Sequence, residues 1–166
     1  MIGSAHVQVP ESQHLLIHPG SRRLEVDRIV ALPALLGPAI RGLPSVAHGF
    51  IPTGPDGRVR GQDRIFAAGD ATDFPVKHGG IAAQQADAAA ASIAALAGAP
   101  VTPEPFHPTI RGMLLTGGRP RYLTARLVGG GGFESQITDE PTWSPPVKIA
   151  ARHLAPYLDE WDSRAR

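Results

Sequence analysis

The amino-acid sequence predicts an α/β fold, and three observations point to it. Several short apolar runs, some of them alternating, are typical of β-strands, and Pro-Gly or Gly-rich turns separate them. Residues 81–96 are mostly alanine and other good helix formers. An apolar run ending in Gly-Asp precedes this helix, an order typical of α/β sheets that bind ligands at their carboxyl edge.

Composition limits the classes of protein to consider. The 166 residues suit one domain or two small ones, and 42% hydrophobic residues suffice for a core. Nineteen glycines and 17 prolines predict a chain rich in loops and tight turns. The absence of cysteine excludes disulfides, thiolate nucleophiles and cysteine-ligated metals.

Charge and hydropathy bear on partners and location. Sixteen Lys and Arg against 15 Asp and Glu give no strong field, so we expect no nucleic-acid partner. No apolar run approaches the ~18–20 residues of a membrane span, and the N-terminus lacks a signal-peptide pattern. We therefore expect a cytoplasmic protein.

Residues 1–45 are predicted to form short strands. The strands fall at 5–9, 14–18 and 24–32, and Pro19-Gly20-Ser21 is a hairpin signal between the last two. The continuous apolar run at 29–32 predicts a strand end that is buried on both faces. A short helical turn is predicted at 34–41.

Residues 46–99 contain the clearest predicted helix. Pro55-Asp56-Gly57 is a strong turn signal, and residues 64–70 form a short apolar strand ending in Gly-Asp. Gly79 and Gly80 precede the helix predicted at 81–96, and Gly98 ends it.

Residues 100–166 are predicted to form a hairpin and a helix. Strands at 109–116 and 121–128 flank a Gly-rich loop, and four glycines at 129–132 form a flexible crossing. An amphipathic helix follows at 147–161, and Pro156 should kink it.

The segment around the first helix carries the chemistry. Gly69 permits close backbone approach, and Asp70 can accept hydrogen bonds from ligand hydroxyls. The helix that begins at Gly79-Gly80 exposes unpaired N–H groups and a partial positive charge. Lys77 and His78 add positive character. Each feature alone is common in turns, caps and solvated surfaces, but their order and spacing predict a site for a hydroxyl-rich, partly anionic cofactor.

Residues 65–98 resemble the second flavin-contact segment of the pyridine nucleotide–disulfide oxidoreductase superfamily. The closest branch is that of sulfide:quinone reductases, flavocytochrome c sulfide dehydrogenases and type II NADH dehydrogenases. The resemblance implies a partial FAD/NAD(P)-binding, Rossmann-like domain with β-hairpins and a C-terminal α+β extension. It places Asp70, beside Gly69, on the flavin ribityl or pyrophosphate-side hydroxyls. The residues implied near the pyrimidine end of the flavin are Lys77, His78, Gly79, Gly80 and Ile81.

The flanking segments extend the resemblance. It implies that residues 1–45 end a nicotinamide-binding-like domain, that 46–99 complete an FAD-binding domain, and that 100–166 form a hairpin-plus-helix interface region. C-terminal helices of membrane-bound relatives dock on the bilayer or line a quinone pocket. The acidic residues of 147–161 and just beyond instead favour packing on the hairpin at 109–128.

The sequence also departs from this family. Neither G-x-G-x-x-G motif is present, and the redox cysteines of the sulfide-oxidising members are absent. The resemblance therefore implies the C-terminal part of an FAD-dependent NAD(P)H- or quinone-type oxidoreductase, inactive by itself, which pairs with itself or with a missing N-terminal Rossmann half. FAD is the implied cofactor and NAD(P)H a further one. The alternative is a non-catalytic remnant or assembly module that self-associates or pairs with another chain.

Overall fold

The computed structural model describes residues 6–11, 13–32, 34–115, 117–128, 132–144 and 151–164. The chain divides into two compact units, residues 1–35 and 36–166. Each unit is described by itself below.

The first unit is a three-stranded antiparallel sheet. Its strands are β1 (His6–Glu11), β2 (His14–His18) and β3 (Arg22–Glu25), in that order. The predicted hairpin at Pro19-Gly20-Ser21 is confirmed: Gly20 has φ +98°, and Ile17 pairs with Arg22 across the turn. Ile17 is buried, whereas every residue of β1 is exposed.

The apolar run at 29–32 was expected in a buried strand, and this prediction is wrong. Strand β3 ends at Glu25, and the Val26 N–H makes one further bond to the Gln13 carbonyl. Val30 and Leu32 are 91% and 94% exposed. Among the described residues, β2 begins at His14 and only Gln13 before it bonds to this segment, so the run at 29–32 has no strand to pair with.

The helical turn predicted at 34–41 is also wrong. This stretch has no regular secondary structure, and it bonds to a 3₁₀ turn at Ala47–Gly49. The Gly37 N–H donates to the His48 carbonyl and the Ala39 N–H to the Gly49 carbonyl. These long-range bonds replace the i→i−4 bonds of a helix.

Residues 51–73 form a compact set of turns rather than a sheet. Single β-bridges join Ile51 to Thr72, Thr53 to Val59, and Arg58 to Phe66. The prediction of a strand at 64–70 is therefore wrong, because these residues form no continuous ladder. Gly69–Ala71 forms a 3₁₀ turn instead. The turn at 55–57 is confirmed, with Gly57 at φ +78°.

Helix α1 (Gly79–Leu96) begins two residues earlier than predicted. Its buried face is built mainly from alanines, together with Ile81, Gln85 and Ser92. Gly98, at φ +88°, follows the last turn, so the predicted stop is confirmed. The Gln84 side chain joins this helix to residue 109: its Oε1 accepts from the Thr109 N–H, and its Nε2 donates to the Thr109 carbonyl.

A second antiparallel sheet follows α1. The predicted hairpin is confirmed as β4 (Thr109–Leu114) and β5 (Arg121–Val128). A third strand, β6 (Gly132–Thr138), pairs with β5 and was not predicted. Residues 129–131 of the predicted crossing lie outside the described residues.

The last element is helix α2 (Leu154–Arg164). Pro156 lies in its first turn, where a missing N–H costs no intrahelical bond, so the predicted kink is wrong. The first part of the predicted helix, residues 147–150, lies outside the described residues. The Arg152 N–H, just before α2, donates to Asp87 Oδ2 on α1.

The prediction of an α/β fold with a partial FAD/NAD(P)-binding, Rossmann-like domain is wrong. The described residues form two antiparallel three-stranded sheets and two helices. Their parallel pairing is limited to the single bridge between Ile51 and Thr72. The reason is topological: a parallel sheet needs strands on both sides of a crossover helix, but only irregular turns precede α1, and β4 after it pairs with the next strand along the chain.

Candidate functional site

The Gly69–Asp70 turn and the start of α1 lie against each other. The Gly69 N–H donates to Gln85 Oε1 at 2.7 Å. A Cβ on Gly69 would lie 3.3 Å from the Ala82 Cβ, and Gly69 has φ +78°. The structure therefore brings Asp70 next to the first turns of the helix, as the sequence order suggested.

Two buried polar side chains fix this turn. Thr72 is fully buried, and its hydroxyl donates to the Gly69 carbonyl at 2.8 Å. The Gln85 amide Nε2 donates to the same hydroxyl at 3.3 Å. Sequence reasoning missed both residues. A glutamine on the inner face of an alanine-rich helix was the available signal, because a buried amide requires partners.

Asp70 itself is exposed. Within the described part of the chain, its carboxylate makes no hydrogen bond or ion pair. Both carboxylate oxygens are thus able to accept hydrogen bonds from a ligand.

Lys77 is directed at the protein rather than at solvent. Its Nζ donates to the carbonyls of Thr72 and Phe74 and lies 4.1 Å from the centroid of the Phe50 ring. Burial lowers the pKa of Lys77, and the nearby carboxylates of Asp70 and Asp73 partly offset this effect. Lys77 therefore stabilises the loop before α1 by binding its backbone carbonyls. Its charge acts on a ligand only through longer-range electrostatics.

His78 is the N-cap of α1. Its Nδ1 accepts from the Gly80 N–H at 3.1 Å, so the ring proton lies on Nε2. Gly79 is exposed, whereas Gly80 is buried and Ile81 is 1% exposed in the core. Gly79 is thus the exposed residue of the first turn, where backbone N–H groups have no intrahelical acceptor. Gly80 and Ile81 of the predicted set support the helix start from inside the protein.

Two cavities lie beside these elements in the second unit. The larger, about 780 Å³, lies along α1 and residues 101–107. The smaller, about 390 Å³, is lined by His78 and by residues of β4 and β5. Within the described ranges, no group of three or more His, Asp or Glu side chains could hold a metal ion.

Comparison with known proteins does not identify a family. No protein-family model matches the chain, and no curated protein sequence matches it significantly. The resemblance to flavoproteins thus remains a hypothesis. Among the helices that the structure describes, none is both long and apolar enough to cross a membrane.

Proposed function

We propose that this chain supplies the ribityl-side and pyrimidine-side contacts to FAD in an FAD-dependent NAD(P)H- or quinone-type oxidoreductase. The observation that carries the proposal is the close approach of Gly69 to Ala82. This approach brings the Gly69–Asp70 turn against the first turns of an 18-residue helix, and among the described residues the exposed Asp70 carboxylate makes no hydrogen bond or ion pair.

The chemistry of these groups fits a flavin. The Asp70 carboxylate suits the hydroxyls of a ribityl chain, which are hydrogen-bond donors. The exposed Gly79 N–H and the positive end of α1 suit the electron-rich carbonyl of the pyrimidine ring. When bound, the flavin would supply hydride or electron transfer, with NAD(P)H as one donor class.

The remaining residues act as positioning residues. Thr72 and Gln85 hold the carbonyl and N–H of Gly69, so they fix where Asp70 projects. Lys77 ties down the backbone of the loop before the helix. His78 occupies the Gly80 N–H and leaves that of Gly79 for a ligand.

The proposal also covers partners and location. Because the sequence has no G-x-G-x-x-G motif, the adenosine diphosphate half of FAD requires another polypeptide segment, so we propose weak flavin binding and no turnover by this chain alone. We also propose a cytoplasmic location and favour it over peripheral contact with the inner face of the membrane.

A second candidate is an assembly module without catalysis. It is favoured by the large apolar side chains that remain exposed in each unit, among them Val30 and Leu32 in the first and Leu36 and Leu115 in the second. Such a module self-associates or pairs with another chain. Light scattering at high protein concentration tests this alternative, and a monomer would contradict it.

The flavin proposal is tested with FMN, which shares the isoalloxazine and ribityl groups of FAD. FMN fluorescence should be quenched saturably, and Asp70→Asn should weaken binding about tenfold, because a charged acceptor is replaced by a neutral one. Asp63→Asn, at another exposed aspartate, is the matched control and should leave binding unchanged. Equal FMN affinity in the native chain and the Asp70→Asn variant would contradict the proposal.

A further inference from the structure

The smaller cavity has walls that are mostly apolar and aromatic. Its volume of about 390 Å³ lies in the range of small-molecule sites. Met113 and Tyr122 are cross-strand partners on β4 and β5, so they form one wall. The Trp143 ring meets the Tyr122 ring edge to face, with the centroids 5.8 Å apart. Both aromatic residues line the cavity.

Arg111 lines this cavity, and among the described residues it has no anionic partner. Arg111 is on the same face of β4 as Met113, and its Cζ lies 5.5 Å from the centroid of the Trp143 ring. Its Nε is buried and has no hydrogen-bond partner. Among the described residues no carboxylate forms an ion pair with it.

The buried Nε–H of Arg111 lacks a hydrogen-bond acceptor. A guanidinium donates up to five hydrogen bonds in a planar fork, and a buried donor without an acceptor is costly. Burial also lowers the pKa of Arg111, which reflects the same desolvation. Contact with the Trp143 face compensates only part of this cost. A carboxylate in the cavity would supply the missing acceptors in bidentate geometry.

His78 adds a second donor to the cavity lining. Its Nδ1 is engaged by the Gly80 N–H, so Nε2 is the nitrogen that remains to donate. The cavity therefore combines one cation, one neutral donor and aromatic walls. The cavity lining thus offers hydrogen-bond donors from Arg111 and His78 together with apolar aromatic surface, a combination that suits a ligand with an anionic head and a flat apolar body.

We propose that this cavity binds a small aromatic carboxylate. The carboxylate accepts hydrogen bonds from Arg111, and the ring packs against Tyr122 and Trp143. The two proposals share only His78, and neither Asp70 nor Gly79 takes part in this one, so benzoate binding and the Arg111 variants test it separately from flavin binding.

The first test uses Trp143 as the reporter and benzoate as the probe. The chain contains two tryptophans, so Trp161→Phe leaves Trp143 as the only one. Benzoate should change its emission saturably. Benzamide, of the same shape but neutral, and acetate, an anion without a ring, should leave it unchanged at equal concentrations. An equal response to benzamide or to acetate, or no saturable response to benzoate, overturns the proposal.

The second test changes the cation in the Trp161→Phe background. Arg111→Gln should weaken benzoate binding about tenfold or more, since a charge-assisted hydrogen bond is lost. Arg126→Gln removes a charge from the same face of the sheet, away from the cavity, and should bind benzoate like its parent. Arg111→Lys keeps the charge without the fork and should bind several-fold less tightly than Arg111. Circular dichroism checks that each variant is folded. If Arg111→Gln is unfolded, the benzoate affinity of Arg111→Lys tests the proposal instead. Unchanged affinity in a folded Arg111 variant overturns the proposal.

Discussion

The turn-and-helix region at residues 51–96 and the sheet of β1–β3 differ sharply in burial. Among the described residues, six of the eight buried hydrophobic side chains belong to 51–96, and the sheet contributes only Ile17. Yet the sheet has the regular ladders, and residues 51–78 are mostly turns. Backbone pairing and core formation are thus separate properties, and it is the core that positions the candidate flavin site.

The core of 51–96 relies on small residues. Gly57 faces Ala89 so closely that a Cβ on Gly57 would lie 2.7 Å from the Ala89 Cβ. An alanine-rich helix lets the turn backbone approach to this distance. The few large side chains, Ile51, Val59 and Ile81, are then almost fully enclosed.

The largest expected effect is the loss of a large side chain from this core. Ile81→Ala should lower the free energy of unfolding by about 3 kcal/mol, since it removes a fully enclosed side chain. Ile93→Ala, the same change at a half-exposed position of α1, should cost less than about 1 kcal/mol. Chemical denaturation measures both variants. Equal losses of unfolding free energy in the two variants would contradict the difference in burial between the two faces of α1.

A smaller effect is expected at the close approach itself. Gly57→Ala should cost about 2–3 kcal/mol, because it combines a left-handed backbone conformation with a contact on Ala89. Gly61→Ala has nearly the same φ but open space around its Cβ, so it should cost only about 1 kcal/mol of backbone strain. Thermal unfolding of the two variants compares them. A cost at Gly57 no larger than that at Gly61 would contradict the tight packing of this turn on α1.

The smallest effect concerns the pH dependence of stability through Lys77. Its pKa is lower in the folded protein than the usual value near 10.5, so in the window below that value the unfolded chain binds more protons. The contribution of Lys77 to stability therefore rises with pH across this window and is lost as pH falls through the folded-state pKa. Lys77→Arg stays charged there and should lack this slope. Denaturation at a series of pH values measures how the free energy of unfolding depends on pH in the native chain and in Lys77→Arg. Identical slopes in the two proteins would contradict the burial of the lysine.

Local signals in the sequence predicted much of the secondary structure. The Pro-Gly turn at 19–21, the hairpin of β4 and β5 and helix α1 follow from turn chemistry and helix propensity, which act over a few residues. The strand predictions for the apolar runs at 29–32 and 64–70 were wrong because a strand needs a pairing partner, and apolar character does not reveal whether one exists. The parallel sheet failed for the same reason.

The candidate site was predictable only in part. The nearness of Gly69, Asp70 and the start of α1 followed from their order along the chain. The sequence could not show that Lys77 bonds to backbone carbonyls or that His78 caps the helix, since both depend on side-chain direction. Gln85 supports Gly69 from 16 positions away; its place on the inner face of α1 indicates that it needs a buried partner but does not indicate which one.

The most direct measurement is an amide chemical-shift map of the chain titrated with FMN and with lumiflavin, which lacks the ribityl chain. We expect FMN to shift the amides of the Gly69–Ala71 turn together with that of Gly79. Lumiflavin should shift Gly79 but leave the turn unchanged. A map in which neither flavin perturbs residues 69–80, or in which lumiflavin shifts the turn as strongly as FMN does, would contradict a two-part site built from Asp70 and the start of α1.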